Sequence, residues 1–313
     1  METVLTGILA SAVTAGAVII IAGIGEIMAE RTGVMNLGIE GMMSVGAMTA
    51  ILVINRVQPN AWLGLLGAAL AGLLAGLLFA FLAVRLKVNQ LLAGLALTFV
   101  GNGLARHIGK AVASQPALSR FDRVPIPVLN DIPILGNAFF NHNILVYIAY
   151  FVLPAVAFYI LYKTRHGLEM RAVGQSPEAA DASGIHVDRI RFLYTCIAGT
   201  LAAAAGAYLS IALTTTWSDM AVAGRGWVTI TLVFFSGWNP LYIVLGALLF
   251  GGATSVGYIM QIQGWGISPF FLNMTPYLAT ILLMLISWLV RVRTQPERLG
   301  VGPAALAAPY HRE

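Results

Sequence analysis

Trp62-Leu63-Gly64-Leu65-Leu66-Gly67-Ala68-Ala69-Leu70-Ala71-Gly72-Leu73-Leu74-Ala75-Gly76-Leu77-Leu78-Phe79-Ala80-Phe81-Leu82-Ala83-Val84 runs 23 residues without a charge. At about 1.5 Å per residue, a helix of this length spans the roughly 30 Å hydrocarbon core of a bilayer. Seven further apolar runs span it or nearly so: Val4–Ile24, Leu37–Ile54, Gln90–Ala105, Ile144–Tyr162, Phe192–Leu213, Leu241–Met260 and Tyr277–Val290. A shorter run, Trp227–Gly237, covers about half a bilayer, as a broken or re-entrant element or as part of a span reaching back toward Ala221. Composition agrees: of 313 residues, 58% are hydrophobic and 10% charged, against about 25% charged in a soluble domain. The expected fold is all-α, a single polytopic membrane helix bundle over residues 1–313 with about nine segments, eight to ten being admissible.

Lys and Arg set the orientation. With the C-terminus inside and nine segments, the inner loops and tail carry 12 basic residues and the outer loops 6. This places the N-terminus outside, and loop 163–191 and tail 291–313 in the cytoplasm. The outer loop 106–143, with Pro116, Pro125, Pro127 and Pro133, suits an extended, solvent-facing segment. Inside the spans, Gly72 and Gly76 form a small-xxx-small pattern, read as close packing within one subunit in preference to a dimerisation face.

Two polar breaks interrupt the apolar runs. The first, residues 25–41, holds Glu26, Glu30, Arg31, Asn36 and Glu40 among Gly33, Gly38 and Gly41. A charge near lipid costs at least a few kcal/mol, so these groups need a cavity or a partner. One reading is a polar lining or gate on a solute path, with Glu26, Asn36 and Glu40 its candidate residues. The other pairs Glu26 or Glu30 with Arg31 at the interface. The second break, residues 214–227, carries Arg225 and Trp227, which join the candidate path; a lipid phosphate is the competing partner for Arg225. Two glycine-interrupted segments in opposite senses point to an inverted repeat around a central path.

Loop 163–191 holds nine of the 31 charges and the string Ser176-Pro177-Glu178-Ala179-Ala180-Asp181-Ala182-Ser183-Gly184. Ser176 is suited to cap a helix and Pro177 to its first position. Glu178 and Asp181 favour the helix N-terminal half, and Gly184 its left-handed exit. So short a helix needs a surface to lie against.

No nucleotide-binding motif is evident: Gly103 to Ala111 has one residue too many between its glycines and ends in Ala111 where Ser or Thr is required. The five histidines fall in loops or the tail without metal-ligand spacing, and the one cysteine, Cys196, lies in an apolar run. No catalytic residue, metal site or cofactor is expected in this chain.

The stretch Gly23–Gly46 and the segment Arg171–Ile185 resemble the permease subunits of ABC importers for nucleosides and simple sugars, within the branched-chain amino acid and ribose permease group. Gly224-Arg225-Gly226-Trp227 and Trp238-Asn239-Pro240-Leu241 extend the resemblance over Thr6 to Val292. Glu178, Ala179, Ala180 and Gly184 also match the Glu-Ala-Ala-x-x-x-Gly loop of importer permeases, without its usual Ile-x-Leu-Pro continuation. The resemblance implies a coupling segment at Gly174, Pro177, Glu178, Ala179, Ala180, Asp181 and Gly184 that docks an ATP-binding subunit. ATP and Mg would sit on that subunit. It further implies a second, paralogous permease, an extracytoplasmic solute-binding lipoprotein and a bacterial plasma membrane location. The net charge of +5, with basic residues mostly in loops, reads as topology and lipid contact and not as nucleic-acid binding. Sugars or branched-chain amino acids are alternative solutes, and an ion-coupled transporter using Glu26, Glu30 or Glu40 is the alternative class.

Overall fold

A computed structural model describes residues 2–127, 129–133, 135–219, 221–294 and 302–311. The helices follow in order as α1 (Glu2–Glu30), α2 (Ile39–Arg56), α3 (Ala61–Ala80), α4 (Gln90–Gly109), α5 (Leu135–Phe139), α6 (Ile144–Tyr147) and α7 (Leu153–Lys163). They continue as α8 (Arg165–Gln175), α9 (Pro177–Ala182), α10 (Val187–Tyr208), α11 (Arg225–Phe235), α12 (Tyr242–Ile262) and α13 (Pro269–Thr294). The polytopic helical class is as expected. Among the described residues, six helical stretches are long and apolar enough to cross a membrane: Leu5–Glu30, Ala61–Arg85, Gln90–Val112, Ile144–Lys163, Val187–Leu213 and Tyr242–Ile262.

Among the described residues the count of nine is therefore not confirmed, and three segments account for the difference. Helix α2 carries Glu40 in its first turn and Arg56 in its last. Helix α11 has only 11 residues, about 16 Å of rise. The Tyr277–Val290 run lies in α13, which contains Pro276, and part of that run lies outside the described side chains.

The bundle is built around α1 and α10. Helix α1 packs on α10, α11 and α12, while α10 also covers α2 and α3. Close approach explains the small residues. A Cβ on Gly72 would stand 2.4 Å from the Gly199 carbonyl oxygen, and one on Gly76 would stand 3.1 Å from Cys196 Cα. The Gly72–Gly76 pattern thus packs α3 on α10 within one chain. Gly46 on α2 and Gly206 on α10 are tighter still, with a Cβ meeting the Ala203 and Met43 carbonyl oxygens at 2.1 and 1.9 Å.

Loop 106–143 keeps Pro116, Pro125, Pro127 and Pro133 exposed, as expected of a solvent-facing segment, but it is more ordered than an extended chain. His107 belongs to α4, and β1 (Arg123–Pro125) pairs antiparallel with β2 (Asn141–Asn143) in the register Val124 to His142. His142 and Asn143 are buried. The order arises because backbone groups find partners, including bridges from Ala113 to Trp217 and from Pro116 to Thr216.

Candidate functional site

The first break turns back into the bundle. After α1 ends, residues 31–38 return as a loop and α2 begins inside it. The Asn36 amide donates to Glu26 Oε1 at 2.8 Å, and Asn36 Oδ1 accepts from the Gly38 amide at 2.8 Å. Trp238 Nε1 donates to Glu30 Oε2. All four side chains are buried. The alternative reading, an ion pair of Glu26 or Glu30 with Arg31, is not formed among the described residues. Arg31 donates instead to the Trp238 and Gly237 carbonyls at 3.2 Å each and to the Tyr162 hydroxyl at 3.0 Å. Glu26, Glu30 and Arg31 together tie the end of α1 to the returning loop and to the turn after α11.

Glu40 joins the two breaks. Its Oε1 and Oε2 accept from the Gly224 and Gly226 amides, each at 2.7 Å. A carboxylate at a helix N-terminus satisfies free N–H groups and meets the positive end of the dipole. The approach requires glycine: a Cβ on Gly226 would lie 2.7 Å from Glu40 Cα. Gly224 also takes the left-handed conformation at φ +80°. Helix α11 is thus a half-span whose N-terminus is held inside the bundle by an acid from α2.

On the side of Glu40 away from α9, a cavity of about 430 Å³ opens between α1, the β1–β2 hairpin, the end of α10 and α12. Thr14, Arg123, Asn141, His142, Arg225 and Tyr258 are among its walls. A second cavity of about 370 Å³ shares Thr214, Arg225, Thr254 and Tyr258 with it. Arg225 is half-buried, and its Nη1 is fixed by the Ala221 and Val222 carbonyls at 3.0 and 3.2 Å. A π-helical turn at Leu209–Leu213 ends α10 and delivers Ala212 and Leu213 to the same wall. His142 Nε2 lies 2.8 Å from the Ala138 carbonyl, so that nitrogen carries the proton in the neutral ring. Burial holds the imidazole below its usual range; the Ala138 carbonyl opposes this and the Arg123 guanidinium reinforces it. Of the five residues expected on a path, Arg225 lines these cavities. Glu40 lines a smaller one of about 140 Å³ beside Asp219. Glu26 and Asn36 are locked in the returning loop, and the Trp227 side chain is exposed.

At the opposite end, Ser176 caps α9 by accepting from the Ala179 amide at 3.4 Å, and Gly184 leaves it at φ +84°. Pro177 and Ala180 are buried against the bundle, whereas Glu178, Ala179, Ala182 and Ser183 are exposed, with Asp181 between. Gly174 packs so closely that a Cβ would lie 2.2 Å from the Arg31 carbonyl oxygen. Residues 302–311 lie across this end. The Ala305 amide donates to Gly174 O at 2.9 Å and the Ala307 amide to Gly33 O at 3.0 Å. Arg191 bridges the Thr32 and Ala308 carbonyls at 3.0 Å each. Sequence reasoning missed this strap and His142, Thr14 and Tyr258. The Asn-rich stretch before His142 was a usable signal; the strap, bonded mainly through backbone, offered none.

The family described as "Branched-chain amino acid transport system / permease component" matches residues 8–288. The chain belongs to this permease family. The permease is 36% identical to a putative glucose ABC transporter permease protein of Haloferax volcanii, over 98% of each chain. It is 32% identical to a nucleoside ABC transporter permease protein of Lactococcus lactis and 30% identical to a guanosine ABC transporter permease protein of Bacillus subtilis. Each of these two alignments covers 85% of this chain and 87% of the relative. No solved structure matches it.

Proposed function

We propose that the permease is the membrane subunit of an ATP-driven importer and forms half of the path for a nucleoside or related small polar solute. The observation that carries this reading is α9: a capped helix with one face buried on its own bundle and an exposed ridge at Glu178, Ala179 and Ala182. Joined to α8, whose Gly174 packs on Arg31 just after α1, this rigid helix can pass a rigid-body shift into the bundle. The ridge would seat in a separate subunit that binds ATP and Mg. A paralogous permease and a solute-binding lipoprotein would complete the complex in a bacterial plasma membrane, with α9 and the C-terminus cytoplasmic and the N-terminus outside. The relatives named for nucleosides, guanosine and glucose support a polar solute. On the path itself, Arg225 would face the solute, while Glu26, Asn36 and Glu40 would hold its inner end closed; no role follows for the exposed Trp227.

The test is uptake by the assembled importer in vesicles. Glu178→Lys, or deletion of 177–183, is expected to abolish ATP-driven uptake while membrane insertion persists. Normal uptake by these variants would overturn the coupling role. Collapse of the proton gradient at constant ATP is expected to leave uptake intact; its immediate loss would favour an ion-coupled transporter.

A further inference from the structure

The two cavities that meet at Arg225 share an unusual charge balance. Among the described residues, their ionisable lining residues are Arg123, His142, Arg225, Tyr258 and Tyr277, with no Asp or Glu, while Glu40 and Asp219 line a smaller neighbouring cavity that shares Ser218, Ala221 and Ala223. Asp122 enters only in an adjoining space, beside Arg120 and Arg123. Glu40 is near and attracts Arg225, but both its oxygens are engaged by the Gly224 and Gly226 amides, so one held acid stands against the two guanidiniums of Arg123 and Arg225. Arg225 forms no ion pair among the described residues. Its Nη1 is spent on two carbonyls, which fixes the guanidinium and leaves the Nε and Nη2 donors unassigned. The hydroxyls of Thr14, Thr254 and Ser255 donate to backbone carbonyls one turn back, so they turn acceptor lone pairs to the cavity. His142, with its proton on Nε2, turns Nδ1 to the Thr14 hydroxyl at 3.4 Å. A low-dielectric wall with fixed positive charge concentrates anions and repels cations.

We propose that this cavity is a binding station for neutral, acceptor-rich solutes, read by the fixed guanidinium of Arg225, and that it excludes cations. The paired N–H donors of a guanidinium match two neighbouring acceptors, such as the carbonyl oxygen and ring nitrogen of a 6-oxopurine. Hydroxyl groups of an attached sugar would meet the Thr and Asn side chains. A protonated amine would face two guanidiniums and find no carboxylate to replace its water. This rests on the permease reading, since it names the chemistry of that path.

The field can be read without transport. The native Cys196 is buried, so Ser11→Cys or Thr254→Cys places a probe thiol on the cavity wall of the full chain. Labelling by an anionic methanethiosulfonate is compared with labelling by a cationic one, each relative to its rate with a free thiol. The anionic reagent is expected to be favoured by about tenfold, and Arg225→Gln in the same background should erase most of that preference. Millimolar inosine should slow labelling, and its protonated 5′-amino analogue should not. Equal labelling by the two reagents, or a preference unmoved by Arg225→Gln, would overturn the proposal. So would equal protection, or no protection, by the two solutes. Uptake that fails in the assembled importer while the labelling preference holds would instead count against the importer reading.

Discussion

Glu40 shows how one acid can be both unusual and structural. An acid beside an apolar run asks for a cavity or a partner, and its partner proves to be backbone: two amides at 2.7 Å from the start of α11. Hydrogen bonds to a charged group contribute about 1.5–3 kcal/mol each. Glu40→Ala should therefore lower the melting temperature in detergent and reduce uptake, while the ATP-binding subunit still co-purifies. Glu40→Gln, which keeps one acceptor, should fall between the two. An Ala variant that melts and transports like the parent would remove Glu40 from this role. The acid was legible in the sequence, but its partner was not, because nothing in residues 36 to 41 names Gly224 or Gly226, some 185 positions away. Arg31 illustrates the opposite error: the nearest acids in sequence looked like its partners, yet carbonyls from the turn after α11 hold it.

At the scale of elements, apolar runs located the helices well because lipid demands long uncharged stretches with internally satisfied backbones. Residues 177–182 were legible for a different reason: Ser176, Pro177 and Gly184 each act locally. The pairing inside loop 106–143 was not legible, because contact between 123–125 and 141–143 is non-local and leaves only three residues per strand as a trace. The glycines carry the sharper test. Gly206→Val pushes a branched side chain into the Met43 carbonyl across the α2–α10 crossing, where overpacking costs about 1–3 kcal/mol. A lower yield of monodisperse protein is expected. Gly103 has nothing within 4 Å of its would-be Cβ, so Gly103→Ala should be neutral or stabilising by up to about 1 kcal/mol. Equal behaviour of the two variants would show that the α2–α10 approach is not sterically limited.

For the whole molecule, the strap is the feature that spans the most elements. Residues 302–311 reach Gly33 after α1, Gly174 on α8 and Arg191 on α10, and Gly302 lies against the Trp238 ring. Removing residues 302–313 should make the 31–38 loop more sensitive to protease and lower the melting temperature, with the chain still inserted. Unchanged cleavage would show that the bundle end closes without it. Most of these bonds run through main-chain N–H and C=O groups. Such a segment tolerates changes of letter far better than changes of spacing. A single inserted residue would misalign both the Ala305 and the Ala307 donors, while many substitutions would leave them in place. An affinity tag joined to the C-terminus would pull on this segment first, so the N-terminus is the sounder place to attach one.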